Sequence, residues 1–175
     1  MEGICVTPVK RVLHAGCGRS PLPAWLSGCI ETRLDIDPEV KPDVLASLTN
    51  MGQIGPFDAV LCLHALEHVY DHEVSLVLSE FRRVLCSDGY AFIIVPDLED
   101  VLPTDDVLFV APGGPVAGLD LIYGMRSMIE KCPAMAHKTG FTEVTLKAAL
   151  SEHFQRVMTK RLGTYNLLGV GACAH

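Results

Sequence analysis

Short apolar runs alternate along the chain with stretches of helical spacing. Val12-Leu13, flanked by His14-Ala15, predicts a buried strand running directly into Gly16-Cys17-Gly18, where a tight turn needs residues without a Cβ. Pro21 and Pro23 suit a first helical turn and predict a short helix over Leu22 to Leu26, ended by Gly28. Glu31 to Ile36 alternates and stops at Asp37-Pro38, which predicts a second strand with Asp35 at its C-terminal tip. Val44-Leu45 predicts a brief third strand. Ala59-Val60-Leu61-Cys62-Leu63 is continuously apolar, the signature of a parallel strand buried on both faces.

From Asp71 to Leu85, the positions Val74, Val77, Leu78, Phe81 and Leu85 recur at spacings of three and four, which predicts an amphipathic helix punctuated by Ser87-Asp88-Gly89. Tyr90 to Val95 predicts the next strand, cut off at Pro96-Asp97. Strands alternating with helices imply right-handed crossovers and hence an α/β fold with a doubly wound, mostly parallel sheet. Thr142 to Phe154 predicts a capped final helix. Arg156 to Leu162 and Tyr165 to Cys173 flank Gly163-Thr164 and predict an antiparallel hairpin at the C-terminal edge of the sheet. Leu98 to Gly140 breaks the alternation with Pro103, Pro112, Gly113-Gly114, Pro115 and Pro133. It reads as a cap inserted over a site, with a helix within Leu119 to Lys131.

Composition narrows the class. A chain of 175 residues, 49% hydrophobic and 20% charged, matches one domain with a full core, so residues 1–175 read as a single domain with 98–140 as its insertion. A net charge of −7 and a pI near 5.4 argue against a broad phosphate-binding face, so no nucleic-acid partner is expected. Met1-Glu2-Gly3-Ile4-Cys5 lacks the pattern of a signal peptide and no apolar run approaches the ~20 residues of a membrane span. Seven cysteines without a C-x-x-C pair read as reduced thiols, and a cytoplasmic location is expected.

Three features converge where the parallel strands end: the glycine turn, the acid at the tip of the second strand, and the polar loop after the fourth. That is the place of a nucleoside site. Gly16 and Gly18 let backbone amides approach a ligand, Asp35 is placed to accept hydrogen bonds from two ribose hydroxyls, and Ile36 to lie against a base. A nicotinamide site fits less well, because G-x-G-x-x-G needs glycine where Pro21 stands.

These residues carry a family resemblance. Val12-Leu13-His14-Ala15-Gly16-Cys17-Gly18, Leu34-Asp35-Ile36-Asp37-Pro38 and the run from Phe57-Asp58 through Leu63-His64-Ala65-Leu66-Glu67-His68 are similar to motifs of class I S-adenosylmethionine-dependent methyltransferases. Glu80 to Gly89 resembles the helix and turn before the fifth strand of their small members. The resemblance implies a Rossmann-like fold and S-adenosylmethionine as cofactor. It implies cofactor contacts at His14, Ala15, Gly16, Cys17 and Gly18, ribose at Asp35, adenine at Ile36 with Leu48, Thr49 and Asn50 bordering the base, and the reacting methyl group near Leu63, His64 and His68. The chain departs from the motif at His14, where an acid is usual, and at Ser20, where a third glycine is.

Methyl transfer needs an acceptor nucleophile held in line with the methyl group in a water-poor pocket. The expected acceptor is a small molecule. His64 and Asp97 are the first choices as proton-accepting groups, with His137, in Met135-Ala136-His137-Lys138-Thr139, as a third and Tyr123 and Arg126 as further cap candidates. Glu67 and His68 read as ordering the loop and capping the next helix. His64, His68 and His72 stand four apart, but His64 ends a strand, so no metal site is expected. Few residues precede the first strand, so the cap, together with a second subunit in a homodimer, is expected to cover the cofactor. A noncatalytic cofactor-binding or partner-binding module is the alternative that His14 and Ser20 leave open.

Overall fold

A computed structural model describes residues 10–173. Five strands form the parallel part of the sheet: β1 (Arg11–Ala15), β2 (Ile30–Asp35), β3 (Val44–Leu45), β4 (Phe57–Leu63) and β5 (Leu85–Pro96). The cap strands β6 (Val107–Ala111) and β7 (Gly114–Ala117) pair only with each other, and β8 (Arg156–Leu162) and β9 (Asn166–Ala172) close the main sheet. The seven-stranded order is β3-β2-β1-β4-β5-β9-β8, with β9 antiparallel to both β5 and β8. The sequence pattern therefore gives the right class: a mixed α/β sheet, mostly parallel, with its antiparallel pair at the C-terminal edge.

The two faces of the sheet are covered unequally. Helices α1 (Asp71–Val84) and α4 (Glu143–Ser151) lie on one face. Val77, Leu78, Phe81, Leu146 and Leu150 meet Leu13, Leu34, Val60, Ile93 and Leu167 in the main core, and each such buried side chain contributes roughly 1.5–3 kcal/mol of hydrophobic stabilisation. On the other face Val12, Ala59 and Leu61 are covered by Leu22, Leu26 and Cys29 of the connection between β1 and β2. The helix expected over Leu22 to Leu26 shrinks to one 3-10 turn, Ala24–Leu26. Trp25, 61% exposed, stands edge-on to Phe92 with ring centroids 5.3 Å apart.

Two other boundaries differ from the sequence reading. β5 begins at Leu85, ahead of Ser87-Asp88-Gly89, because Leu85 already pairs with Phe57 and an irregularity in the register absorbs the turn residues. The cap helix expected within Leu119 to Lys131 is two pieces, α2 (Gly118–Tyr123) and α3 (Arg126–Ile129). Gly124 separates them at φ +90°, and a Cβ there would stand 2.3 Å from the Met135 carbonyl oxygen. The final helix has Thr142 at its N-cap, where the hydroxyl accepts from the Thr145 amide, as its sequence predicts. No described helix is long and apolar enough to cross a membrane.

Candidate functional site

β1 ends in a turn that only glycine accommodates. Gly16 sits at φ +67° and a Cβ there would lie 2.4 Å from the Ala65 Cβ; Gly18 sits at φ +49° with nothing within 4 Å of its Cβ position. The first glycine lets the turn close against the loop after β4, and the second leaves an open backbone surface. The amides of Gly16 and Cys17 both donate to the Leu34 carbonyl, at 2.9 and 3.1 Å. Asp35, at the C-terminal end of β2, accepts from Gly18 N at 2.7 Å and from Asp37 N at 2.9 Å. The acid and the glycine turn thus hold each other in place, and each carboxylate oxygen keeps acceptor capacity beyond its one backbone bond.

His14 is buried beneath this turn, where its Nδ1 lies 2.8 Å from Glu31 Oε1. Arg33, on the same face, donates to Glu31 and to the carbonyls of Gly18 and Ser20. An acid therefore does stand beside the turn, supplied by the neighbouring strand. Ile36 is exposed beyond Asp35. Leu48, Thr49 and Asn50 form the bend after β3: the Thr49 and Ser47 hydroxyls are 2.8 Å apart, Asn50 accepts from Gly52 N, and Leu48 packs on the main core. Leu63 lies on the thinly covered sheet face.

His64, Glu67 and His68, which flank Ala65 in the loop after β4, line a cavity of about 540 Å³ together with Pro96 at the end of β5. Phe109, Val116, Leu121, Met125, Met128 and Met135 of the cap give it apolar walls. Its polar side carries His64, Glu67, His68, His137, Tyr165 and Asn166. The Phe109 ring stacks on Tyr165 at 6.0 Å, which ties the β6–β7 hairpin to the β8–β9 turn. A concave, mostly apolar space with a few convergent polar groups is the ordinary form of a small-molecule site.

Of the expected proton-accepting residues, the cavity brings together His64 and His137 and leaves out Asp97. Asp97 is buried, accepts from Arg161 Nε at 2.5 Å and from Glu99 N at 3.1 Å, and is not part of the cavity lining. Its carboxylate anchors β8 to the end of β5. His64 stands in the left-handed region at φ +50° directly after β4, with its amide on the Ile94 carbonyl. Desolvation works against its charged form, but the nearby Glu67 carboxylate and Asn166 outweigh it, so its imidazole titrates above the usual histidine value. Burial pushes His137 the other way, below that value, and Glu67 offsets only part of the effect.

Glu67 corrects one expectation. It does not cap the following helix: its side chain is 1% exposed and neither carboxylate oxygen has a hydrogen-bond partner. His64 Nδ1 comes to 3.5 Å and His137 Nε2 to 4.0 Å from Oε1. The Glu67 main-chain carbonyl accepts from Lys138 and Thr139, which clasps the loop bearing His137 onto the loop after β4. His72 lies apart, stacked on Tyr70. The separation of 70 residues between Glu67 and His137 hid this cluster from the sequence, where only the short repeat of histidines was visible. Tyr123 is exposed, and Arg126 is held by Asp105 and Asp120.

These strand ends define an α/β domain that presents a glycine turn and an acid on adjacent parallel strands beside an apolar cavity. Residues 13–93 match the family model described as a methyltransferase domain. No curated protein matches the chain. Among solved structures, the fold is similar to 1,6-didemethyltoxoflavin-N1-methyltransferase of Burkholderia thailandensis, solved with 1,6-didemethyltoxoflavin and S-adenosylhomocysteine. The TM-score is 0.62 at 20% identity over 94% of this chain and 71% of that one. A protein of Pyrococcus horikoshii gives 0.66 at 17% over 93% and 81%, and an S-adenosylmethionine-dependent methyltransferase of Archaeoglobus fulgidus gives 0.63 at 15% over 94% and 86%. At these identities the likeness is one of fold. The matched segment carries the glycine turn, Asp35 and the Glu67-His68 pair.

Proposed function

We propose that the protein transfers a methyl group from S-adenosylmethionine to a small acceptor seated in the cavity under the cap. The observation that carries this reading is the closure of Gly16 on Ala65, which sets the glycine turn directly against the loop that leads into the cavity. The residues of the turn suit the cofactor: Gly18 offers unobstructed backbone, and Asp35 keeps free acceptor sites for ribose hydroxyls. In this reading Ile36 and the bend of Leu48, Thr49 and Asn50 border the adenine, and Ala15, Cys17, Leu63 and His68 complete the surroundings. His14 acts through Glu31, supporting the turn from beneath. S-adenosylmethionine, when bound, supplies an electrophilic methyl on a sulfonium.

The chain's own contribution is to hold the acceptor among Phe109, Leu121 and the three methionines, exclude water, and take up the acceptor's proton at His64. The methionines suit an acceptor with an apolar body, because their flexible side chains adapt to its shape. Residues 98–140 serve as the cap of a single domain. That the Burkholderia thailandensis neighbour was solved with 1,6-didemethyltoxoflavin bound supports a small acceptor.

A second reading, a binding module without transfer, is favoured by one observation: the Gly18 amide is already engaged by Asp35, and only a single 3-10 turn follows the glycine turn. Incubation with S-adenosylmethionine carrying an isotopic methyl label and a panel of heteroaromatic and phenolic acceptors separates the two. The main reading expects label in a small product, reduced at least tenfold by His64→Ala. Binding of the cofactor with no product across the panel supports the module.

A further inference from the structure

Glu67, His68 and His137 place three ligand atoms within 4.8 Å of one another on the polar side of the cavity. Their protonation is legible from their partners. His137 Nδ1 stands 2.9 Å from the Leu121 carbonyl and His68 Nδ1 3.2 Å from the Ala136 carbonyl. A carbonyl oxygen only accepts, so each Nδ1 carries a proton, and in the neutral ring Nε2 presents the lone pair. The Glu67 carboxylate beside them is buried and accepts no hydrogen bond. At 4.0 Å from Oε1, His137 Nε2 is too far for a hydrogen bond.

Three lone-pair donors thus converge in a buried place, and a carboxylate buried there with no hydrogen bond and only the His64 imidazole, 3.5 Å away, as an ionic neighbour is costly. A secondary or tertiary ammonium on an acceptor has too few N–H donors to answer all three. A cation with several coordination positions satisfies all three. We propose that Glu67, His68 and His137 bind a divalent first-row transition ion. Two imidazoles and one carboxylate suit zinc, iron, cobalt or nickel more than magnesium, which prefers oxygen. The backbone carbonyls on both Nδ1 atoms are the outer partners that fix the rings of metal-binding histidines.

Ligands at ~2.1 Å from a tetrahedral ion stand about 3.4 Å apart, so the three groups close by roughly 1 Å on binding, a movement within reach of side-chain rotation. All three line the cavity, and the remaining coordination positions face the space where an acceptor sits. The site stands whether or not the protein transfers methyl groups.

The full-length chain, stripped with a chelator and titrated with Co²⁺, tests it by calorimetry and visible absorption. The expected result is one ion per chain with ligand-field bands of nitrogen and oxygen coordination and no thiolate charge-transfer band. Glu67→Gln and His137→Ala each weaken binding at least about tenfold, while His72→Ala and Cys132→Ser leave it unchanged. His137→Gln, which keeps a polar side chain in the loop, gives the same loss in a variant whose circular dichroism matches the parent. No binding, undiminished binding in Glu67→Gln and His137→Gln, or a thiolate spectrum abolished by Cys132→Ser overturns the proposal. S-adenosylhomocysteine affinity is measured on the same preparation. Cobalt binding without it defeats the methyl-transfer reading alone, and the converse defeats the metal site alone.

Discussion

Gly16 and Ala65 touch so closely that a Cβ on residue 16 would lie 2.4 Å from the Ala65 side chain, and through this contact the ends of β1 and β4 become one surface. Gly16→Ala meets both this clash and a left-handed backbone at φ +67°. The strain costs about 1–2 kcal/mol and the overpacking about 1–3 kcal/mol. Urea denaturation is expected to show a loss of about 2–5 kcal/mol, with S-adenosylhomocysteine binding lost in the folded fraction. The double variant Gly16→Ala, Ala65→Gly recovers part of the stability, because it removes the clash and leaves the backbone strain.

Asp97 is expected to matter for stability and not for chemistry. Asp97→Asn removes a buried charge partner of Arg161, which itself stays partly in water. The expected cost is about 1–3 kcal/mol, in line with loss of a charge-assisted hydrogen bond. S-adenosylhomocysteine affinity should stay within about twofold of the parent, as calorimetry can check. A selective collapse of methyl transfer at unchanged stability would return Asp97 to the site.

Much of this was legible from residue pattern alone. The turn after β1, the stop of β2 at Asp35, the buried run of β4 and the apolar stripe of α1 follow from local chemistry, and all four stand where the sequence puts them. What was not legible depends on distant partners. Asp97 finds Arg161 across 64 positions, and Glu67 finds His137 only because the loop after α3 folds back through its amides. The cap helix breaks at Gly124 because the Met135 carbonyl passes beside it, which no local propensity reports. The first helix dwindles to a turn for a local reason: Pro21 and Pro23 together leave too few amides to propagate it.

Glu67→Gln is expected to raise stability while weakening the site. In chelator-treated protein above the His64 titration, the uncharged isostere relieves a buried carboxylate that accepts no hydrogen bond, and the melting midpoint should rise by the equivalent of about 1 kcal/mol. A fall of that size would mean that the carboxylate is satisfied in solution and contributes to folding.

Glu80 links α1 to the bend after β3, accepting from Met51 N at 2.9 Å and from Arg83 Nε at 2.6 Å. Hydrogen bonding from Arg83 holds its carboxyl below the usual glutamate value, and the Met51 amide adds to this. A depressed folded-state pKa means that the unfolded chain binds the proton first on acidification. The stabilisation is therefore complete above pH ~4.5 and is lost as the pH falls through the lower folded value. Glu80→Gln should lose about 1 kcal/mol at pH 7, and the difference between variant and parent should shrink below that range. A difference independent of pH down to pH ~2 contradicts the assignment.

The central claim is that the turn of Gly16 and Gly18, closed by Asp35, holds the cofactor. Calorimetric titration of the full-length chain with S-adenosylhomocysteine, run beside Asp35→Ala and beside a titration with NAD, tests it most directly. The account predicts one molecule bound per chain, affinity lowered roughly 10–100-fold in Asp35→Ala, as expected for loss of hydrogen bonds to a charged acceptor, and no binding of NAD. Absence of S-adenosylhomocysteine binding, or binding that Asp35→Ala leaves untouched, contradicts it.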